Sequence, residues 1–129
     1  MPSSNIPIST HDAPKAIGPY SQAIISGAFV FVSGQIAIDP NTSQFMNDSI
    51  TQQTHQVIKN IQSILIEAGT TLSHVVKTTV YLKDLNDFNE MNEVYALYFN
   101  DIFPARSTIQ AAALPKDAAI EMDVIASLK

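Results

Sequence analysis

From Ile120 to Leu128 every second residue is apolar, with Ile120, Met122, Val124, Ala126 and Leu128 on one side and Glu121, Asp123, Ile125 and Ser127 on the other. Side chains of a strand alternate between the two faces of its sheet, so this run commits one face to a core and leaves the other mixed. The apolar face needs a covering layer, and the chain offers two helices for it. Ile50, Val57, Ile58, Ile61, Ile64, Leu65 and Ala68 recur at helical spacing, behind a capping-box signal at Ser49 and Gln52 and ahead of Gly69, where a helix would stop. Leu85, Phe88, Met91, Tyr95 and Tyr98 repeat the spacing between Asp84 and Asn100, with Asp87 and Glu90 early, where the helix dipole favours acids.

The remaining strands follow from β-rich runs bounded by turn residues. Gln22–Ser26 and the run Phe29, Val30, Phe31, Val32 flank a turn at Gly27, Asp39-Pro40-Asn41 is a second turn, and Val75–Leu82 is β-branched and aromatic. Thr108–Leu114 and Ala118–Leu128 flank Pro115-Lys116-Asp117 and are expected to form a connected strand pair. The order β-β-α-β-α-β-β predicts an α+β sandwich, one domain over residues 1–129, with both helices on one face of the sheet. The other face, with Ile125 among polar groups, then needs a cover of its own. A second copy of the chain could supply it, which fits a charged fraction of only 15%.

Composition narrows the function. Net charge is −5 and the seven basic residues are scattered, so no run is ready to neutralise several phosphates and nucleic acid is a poor default partner. There is no cysteine, which removes disulfides, thiolate nucleophiles and Cys-ligated metals. His11, His55 and His74 stand far apart on unlike elements, so no metal site is expected. The most apolar stretch, Ala23–Ile38, is interrupted and too short for a membrane span, and Met1–Tyr20 lacks a signal-peptide core. The expectation is a cytoplasmic protein with no membrane partner.

Arg106 is the sole arginine, set in Pro104-Ala105-Arg106-Ser107 at the start of an expected strand. A guanidinium can grip a carboxylate through two parallel bonds, and it can equally form a surface salt bridge. Glu121 shares a face with Asp123 on a strand otherwise strongly apolar, expected to partner the Arg106 strand. It reads as a carboxylate able to orient or deprotonate water, or as a solvated or subunit-facing residue. Tyr20, in Gly18-Pro19-Tyr20-Ser21, offers a phenol beside a rigid turn, or simply packs. Ser33-Gly34-Gln35 interrupts a strand, as a close approach of a ligand or a β-bulge would require. Asn92 on the second helix faces either a pocket or solvent.

Five blocks taken together point further: Ala16-Ile17-Gly18-Pro19-Tyr20-Ser21, Ser33-Gly34-Gln35-Ile36, Val76-Lys77-Thr78-Thr79, Pro104-Ala105-Arg106-Ser107, and Leu114-Pro115-Lys116-Asp117 followed by Ile120-Glu121. In this order, from Pro14 to the C-terminus, the chain resembles the RidA/YjgF family. The resemblance implies a chorismate-mutase-like fold, a homotrimer with three clefts between subunits, and hydrolysis of 2-iminopropanoate, 2-iminobutanoate and related enamines to 2-keto acids without metal or cofactor. By match of motif, Arg106 binds the substrate carboxylate, and Tyr20, Ser33, Asn92 and Glu121 line the cleft, Glu121 beside the attacking water. Arg106, Glu121 and Tyr20 are thus the expected catalytic residues. Arg106, Ser33, Asn92 and Thr108 are the expected substrate contacts. Thr108 stands where many bacterial members carry cysteine, and Asp123 replaces a common glutamate. Two other readings stay open: an endoribonuclease, a label some members carry, and a non-catalytic trimer that binds small metabolites.

Overall fold

A computed structural model describes residues 5–129; residues 1–4 of the expected 1–129 domain lie outside the described part. Six strands form one sheet: β1 (Ile6–Ile8), β2 (Ala23–Ser26), β3 (Phe29–Gln35), β4 (Val75–Leu82), β5 (Ala105–Gln110) and β6 (Ile120–Ser127). Two helices, α1 (Ile50–Ala68) and α2 (Phe88–Tyr98), cover one face, as the alternation in β6 requires. The strand order is β1-β2-β3-β6-β4-β5, antiparallel except for the β4–β5 pair, so the sheet is mixed.

Helix α1 forms where its caps say it should. The Ser49 hydroxyl accepts from the Gln52 backbone N–H at 3.2 Å, while the Ser49 N–H goes to the Asp48 carboxylate at 2.7 Å rather than back to Gln52. Only half of the capping box is therefore made. At the far end Gly69 turns left-handed (φ 93°), Gly69 N–H reaches the Ile66 carbonyl and Thr70 N–H reaches Leu65, a Schellman closure. Ile58, Ile61, Ile64 and Leu65 are fully buried against the sheet. Each contributes about 1.5–3 kcal/mol of burial.

Three expectations change. A short edge strand, β1, precedes β2, with Pro7 opposite Ile24. Three residues carry too little periodicity to be seen, and proline fits because an edge strand can spare one N–H. The second helix begins at Phe88 rather than at Asp84, after a 3-10 turn over Leu85–Asp87 whose Asn86 N–H is capped by the Asp84 carboxylate. The largest change concerns β5. It covers Ala105–Gln110 rather than Thr108–Leu114, and it runs parallel to β4 instead of pairing with β6. The physical reason is the crossover: β4, α2 and β5 form a βαβ unit, and β4 fills the place between β5 and β6.

The uncovered face of the sheet carries Phe29, Phe31 and Ile109, each 43–48% exposed, together with Ile125 and the Tyr81 ring. This is far more apolar surface than the Ile125 signal alone suggested.

Candidate functional site

Two cavities that share no lining residue hold most of the expected site. The first, about 380 Å³, is walled by Tyr20, Gly34, Ile36, Lys116 and Glu121 among others. The second, about 450 Å³, is walled by Asn92, Tyr95, Ala96, Phe103, Pro104 and Arg106.

The first wall begins at a β-bulge. Val32 faces Val124 and Gln35 faces Met122, so Ser33-Gly34 adds one residue to β3 against β6. The bulge and a close approach occur together here. A Cβ on Gly34 would overlap the Glu121 carboxylate, so only glycine leaves that carboxylate its place. Ser33 points its hydroxyl at the Ser21 carbonyl, 2.6 Å away, and so ties the bulge to the segment that carries Tyr20. Burial pushes the Glu121 carboxyl above the ordinary carboxylate range, and the neighbouring Asp123 charge adds to the effect.

Three further groups shape this wall. The buried Gln22 amide accepts from Thr10 N–H at 2.7 Å and donates to the Pro14 carbonyl at 2.8 Å, which pins the segment leading to Tyr20. The buried Asn60 of α1 donates to the Ile36 and Ile38 carbonyls and fixes the strand exit. Neither role is visible in the sequence, where Gln22 only opens an expected strand. At the rim, Lys116 and Asp117 both take left-handed backbone (φ 58° and 56°). Such conformations cost about 1–3 kcal/mol each in non-glycine residues and concentrate where geometry matters. The Lys83–Asp117 ion pair at 2.9 Å anchors that turn.

The second wall is a helix laid over an edge strand. The Arg106 guanidinium lies 4.7 Å from the Tyr95 ring centre and 5.5 Å from that of Phe88. Its Nη1 donates to the Asn92 Oδ1 at 2.6 Å. Asn92, one turn before Tyr95 on α2, therefore faces the cavity. Tyr95 is itself fixed by a 2.9 Å hydrogen bond with Thr78, and burial raises its pKa although Thr78 and Arg106 pull the other way. Among the described residues no carboxylate pairs with Arg106. Arg106 also lines the second cavity.

Arg106 and Glu121 do not meet within one chain. In the sheet register Arg106 sits opposite Thr78, which is buried beneath the helices, whereas Glu121 sits opposite Tyr81 on the uncovered side. One intervening strand, β4, and opposite faces separate them, so the expected pairing of their strands does not form and each lines its own cavity. Thr108 lines neither cavity. It lies two residues along β5 from Arg106 on the same face, and its hydroxyl is buried without a partner. No group of three His, Asp or Glu side chains among the described residues could hold a metal ion. Among them no helix is long and apolar enough to cross a membrane.

A family model described as Endoribonuclease L-PSP matches residues 10–128. The human 2-iminobutanoate/2-iminopropanoate deaminase is 48% identical over 119 residues, 92% of this chain and 87% of that protein. The crystal structure of YyfA from Yersinia pestis, a Rid-family protein of unknown function, matches with a TM-score of 0.94 at 47% identity, covering 96% of this chain and 99% of that one. The chain belongs to the RidA/YjgF family. A further structure of the same fold, E. coli TdcF with bound serine, matches with a TM-score of 0.90 at 40% identity over 95% of this chain and 98% of that one. As a RidA/YjgF member, this chain carries its sole arginine and its Gly34-seated glutamate on separate, outward-facing walls.

Proposed function

We propose that this chain hydrolyses small 2-imino acids, such as 2-iminobutanoate and 2-iminopropanoate, to the 2-keto acid and ammonia. The working form is a cytoplasmic homotrimer of chorismate-mutase-like subunits, in which the Arg106 wall of one chain closes on the Glu121 wall of the next. The observation that carries the reading is the state of Arg106: held by Tyr95, Phe88 and Asn92, unpaired with any acid among the described residues, and open to a cavity. A guanidinium so fixed is shaped for a carboxylate. The half-exposed Phe29, Phe31 and Ile109 support association, since such a face needs cover. The name of the human relative supports the reaction, and the serine held by E. coli TdcF supports a small amino-acid-like ligand.

In this reading Arg106 binds the substrate carboxylate and Glu121 takes a proton from water as its oxygen bonds to the imine carbon. The C=N electron pair moves to nitrogen, which receives the proton back from Glu121. The carbinolamine hydroxyl then gives its proton to Glu121, the C–N bond breaks, and the nitrogen leaves as ammonia with a proton returned from Glu121. Tyr20 stands across the same cavity as a donor to the forming alkoxide. Ser33 holds the bulge in place through its bond to the Ser21 carbonyl, and Thr108, whose hydroxyl is buried outside both cavities, supports the strand that carries Arg106. Imines hydrolyse unaided in water, so orientation and one acid–base group suffice. No step needs a metal or cofactor.

The description of the matching family model favours one other reading, RNA cleavage. Net charge −5 and a lone arginine oppose it, and RNA binding with a steep salt dependence would support it. The deciding test generates 2-iminobutanoate in situ with an amino-acid dehydratase or oxidase and follows ammonia release. The wild-type chain should accelerate release and Arg106→Ala should not. Equal rates with and without the wild-type chain would leave a non-catalytic binding trimer.

A further inference from the structure

Glu121 does not face its cavity alone. One turn of the pleat along β6, on the same face, stands Asp123, and the Tyr81 phenol donates to the Asp123 Oδ2 at 3.1 Å. Tyr81 lies directly opposite Glu121 in the register, so the bond runs diagonally across the β4–β6 pair and holds Asp123 beside Glu121. The phenol in turn holds its proton more tightly than usual, through burial first and then the Asp123 and Glu121 charges. Nothing in the hydrolysis described above uses Asp123 or Tyr81, and neither lines the cavity.

We propose that Asp123, fixed by Tyr81, is a positioning residue for Glu121 that governs when Glu121 carries its proton. The inference rests on the deaminase reading for its purpose but not for its test. Imine hydrolysis asks one carboxyl to accept a proton and return it, twice per turnover. That is efficient only when the protonated and ionised forms are both accessible at working pH. Burial beside Gly34 supplies part of this, and a fixed neighbouring negative charge supplies the rest. A loose aspartate would swing into solvent and be screened. The tyrosine prevents that.

The other titratable groups around Glu121 are Lys15, Tyr20 and Lys116, which share its cavity, and Lys77 and Lys83, which lie two residues before Thr79 and two after Tyr81 on the same face, while β3 presents Gly34 and Gln35 to the cavity. Lys15 and Lys116 are exposed at the rim, and after burial Asp123 is the charge that raises the Glu121 carboxyl, so removing it should tip the balance towards the ionised form.

The experiment is a carboxyl-carbon NMR titration of Glu121 in the assembled protein, read beside the pH–rate profile on 2-iminobutanoate. In Asp123→Asn the Glu121 midpoint should fall, and the acidic limb of the rate profile should move to lower pH with it. KM should stay near the wild-type value. Tyr81→Phe should shift the midpoint in the same direction by less, whether Asp123 swings away or becomes protonated. Asp123→Glu, which keeps the charge, should restore most of the wild-type midpoint. A Glu121 midpoint unchanged in both Asp123→Asn and Tyr81→Phe overturns the proposal. A lowered midpoint in a protein that releases no ammonia from any imine would keep the coupling and remove the deaminase reading instead.

Discussion

The two cavity walls solve different problems with different materials. On the Arg106 side a helix and an edge strand clamp a group whose charge never changes: two rings and one amide hold the guanidinium. On the Glu121 side a bulge, a glycine and loop segments surround a group that changes its charge in the proposed reaction. Burial and a neighbouring acid raise its hold on the proton. A rigid element suits a residue that works by shape. An irregular one suits a residue whose solvation has to be tuned, because a bulge can seat a carboxylate half out of water where a regular strand would bury it or expose it.

Shape on one wall and proton affinity on the other should fail differently. Arg106→Lys keeps the charge but loses the fork and the ring stacking, so the substrate is held at one point. We expect kcat/KM on 2-iminobutanoate to fall by roughly a hundredfold or more, as for a misplacement of about 1 Å. The assembly state and circular dichroism should be unchanged. A lysine variant near wild-type activity would show that Arg106 acts by charge alone.

Gly34→Ala should perturb only the other wall. The added methyl meets the movable end of the Glu121 side chain, so the fold should survive while the carboxylate is pushed off its seat. The expected result is a loss of about tenfold to a hundredfold in kcat with KM little changed. Loss of KM instead of kcat would place Gly34 in substrate binding.

The effect of Glu121→Gln on stability, as distinct from turnover, is the smallest and least intuitive. Glu121 holds its proton more tightly folded than unfolded. Between its unfolded and folded pKa values the native state binds more protons, so its stability falls as pH rises through that window. Above the window the ionised carboxylate is a net cost. The glutamine variant should therefore melt slightly higher than wild type at neutral pH and lose that advantage in acid, while its turnover drops. A lower melting temperature at neutral pH would mean that the ionised carboxylate is stabilising.

How far the sequence led differs between the same two walls. The Ile120–Leu128 alternation and the Ser49-to-Gly69 helix were legible because each is long, periodic and capped by its own residues. Arg106 stood out as a sole arginine after a proline, and Gly34 as a glycine inside a strand. The β5 pairing was not legible: Pro115-Lys116-Asp117 looks like a hairpin turn, and nothing local says that β4 will occupy the place between β5 and β6. The anchoring roles of Gln22 and Asn60 were hidden for a related reason, since their partners are backbone carbonyls and an N–H far along the chain. The Tyr81–Asp123 bond spans 42 residues and has no sequence signature at all.

The central claim is that Arg106 and Glu121, on opposite faces of one chain, serve one reaction centre shared by two chains. Arg106→Ala and Glu121→Gln chains should each be nearly inactive alone. Denatured together in equal amounts and reassembled, they should form mixed trimers in which about one site in four draws Arg106 and Glu121 from unmutated walls, by random placement in a symmetric ring. The account predicts ammonia release from 2-iminobutanoate at about a quarter of the wild-type rate per site. Mixed assemblies that form, as judged by mass, yet remain as inactive as their parents would contradict it.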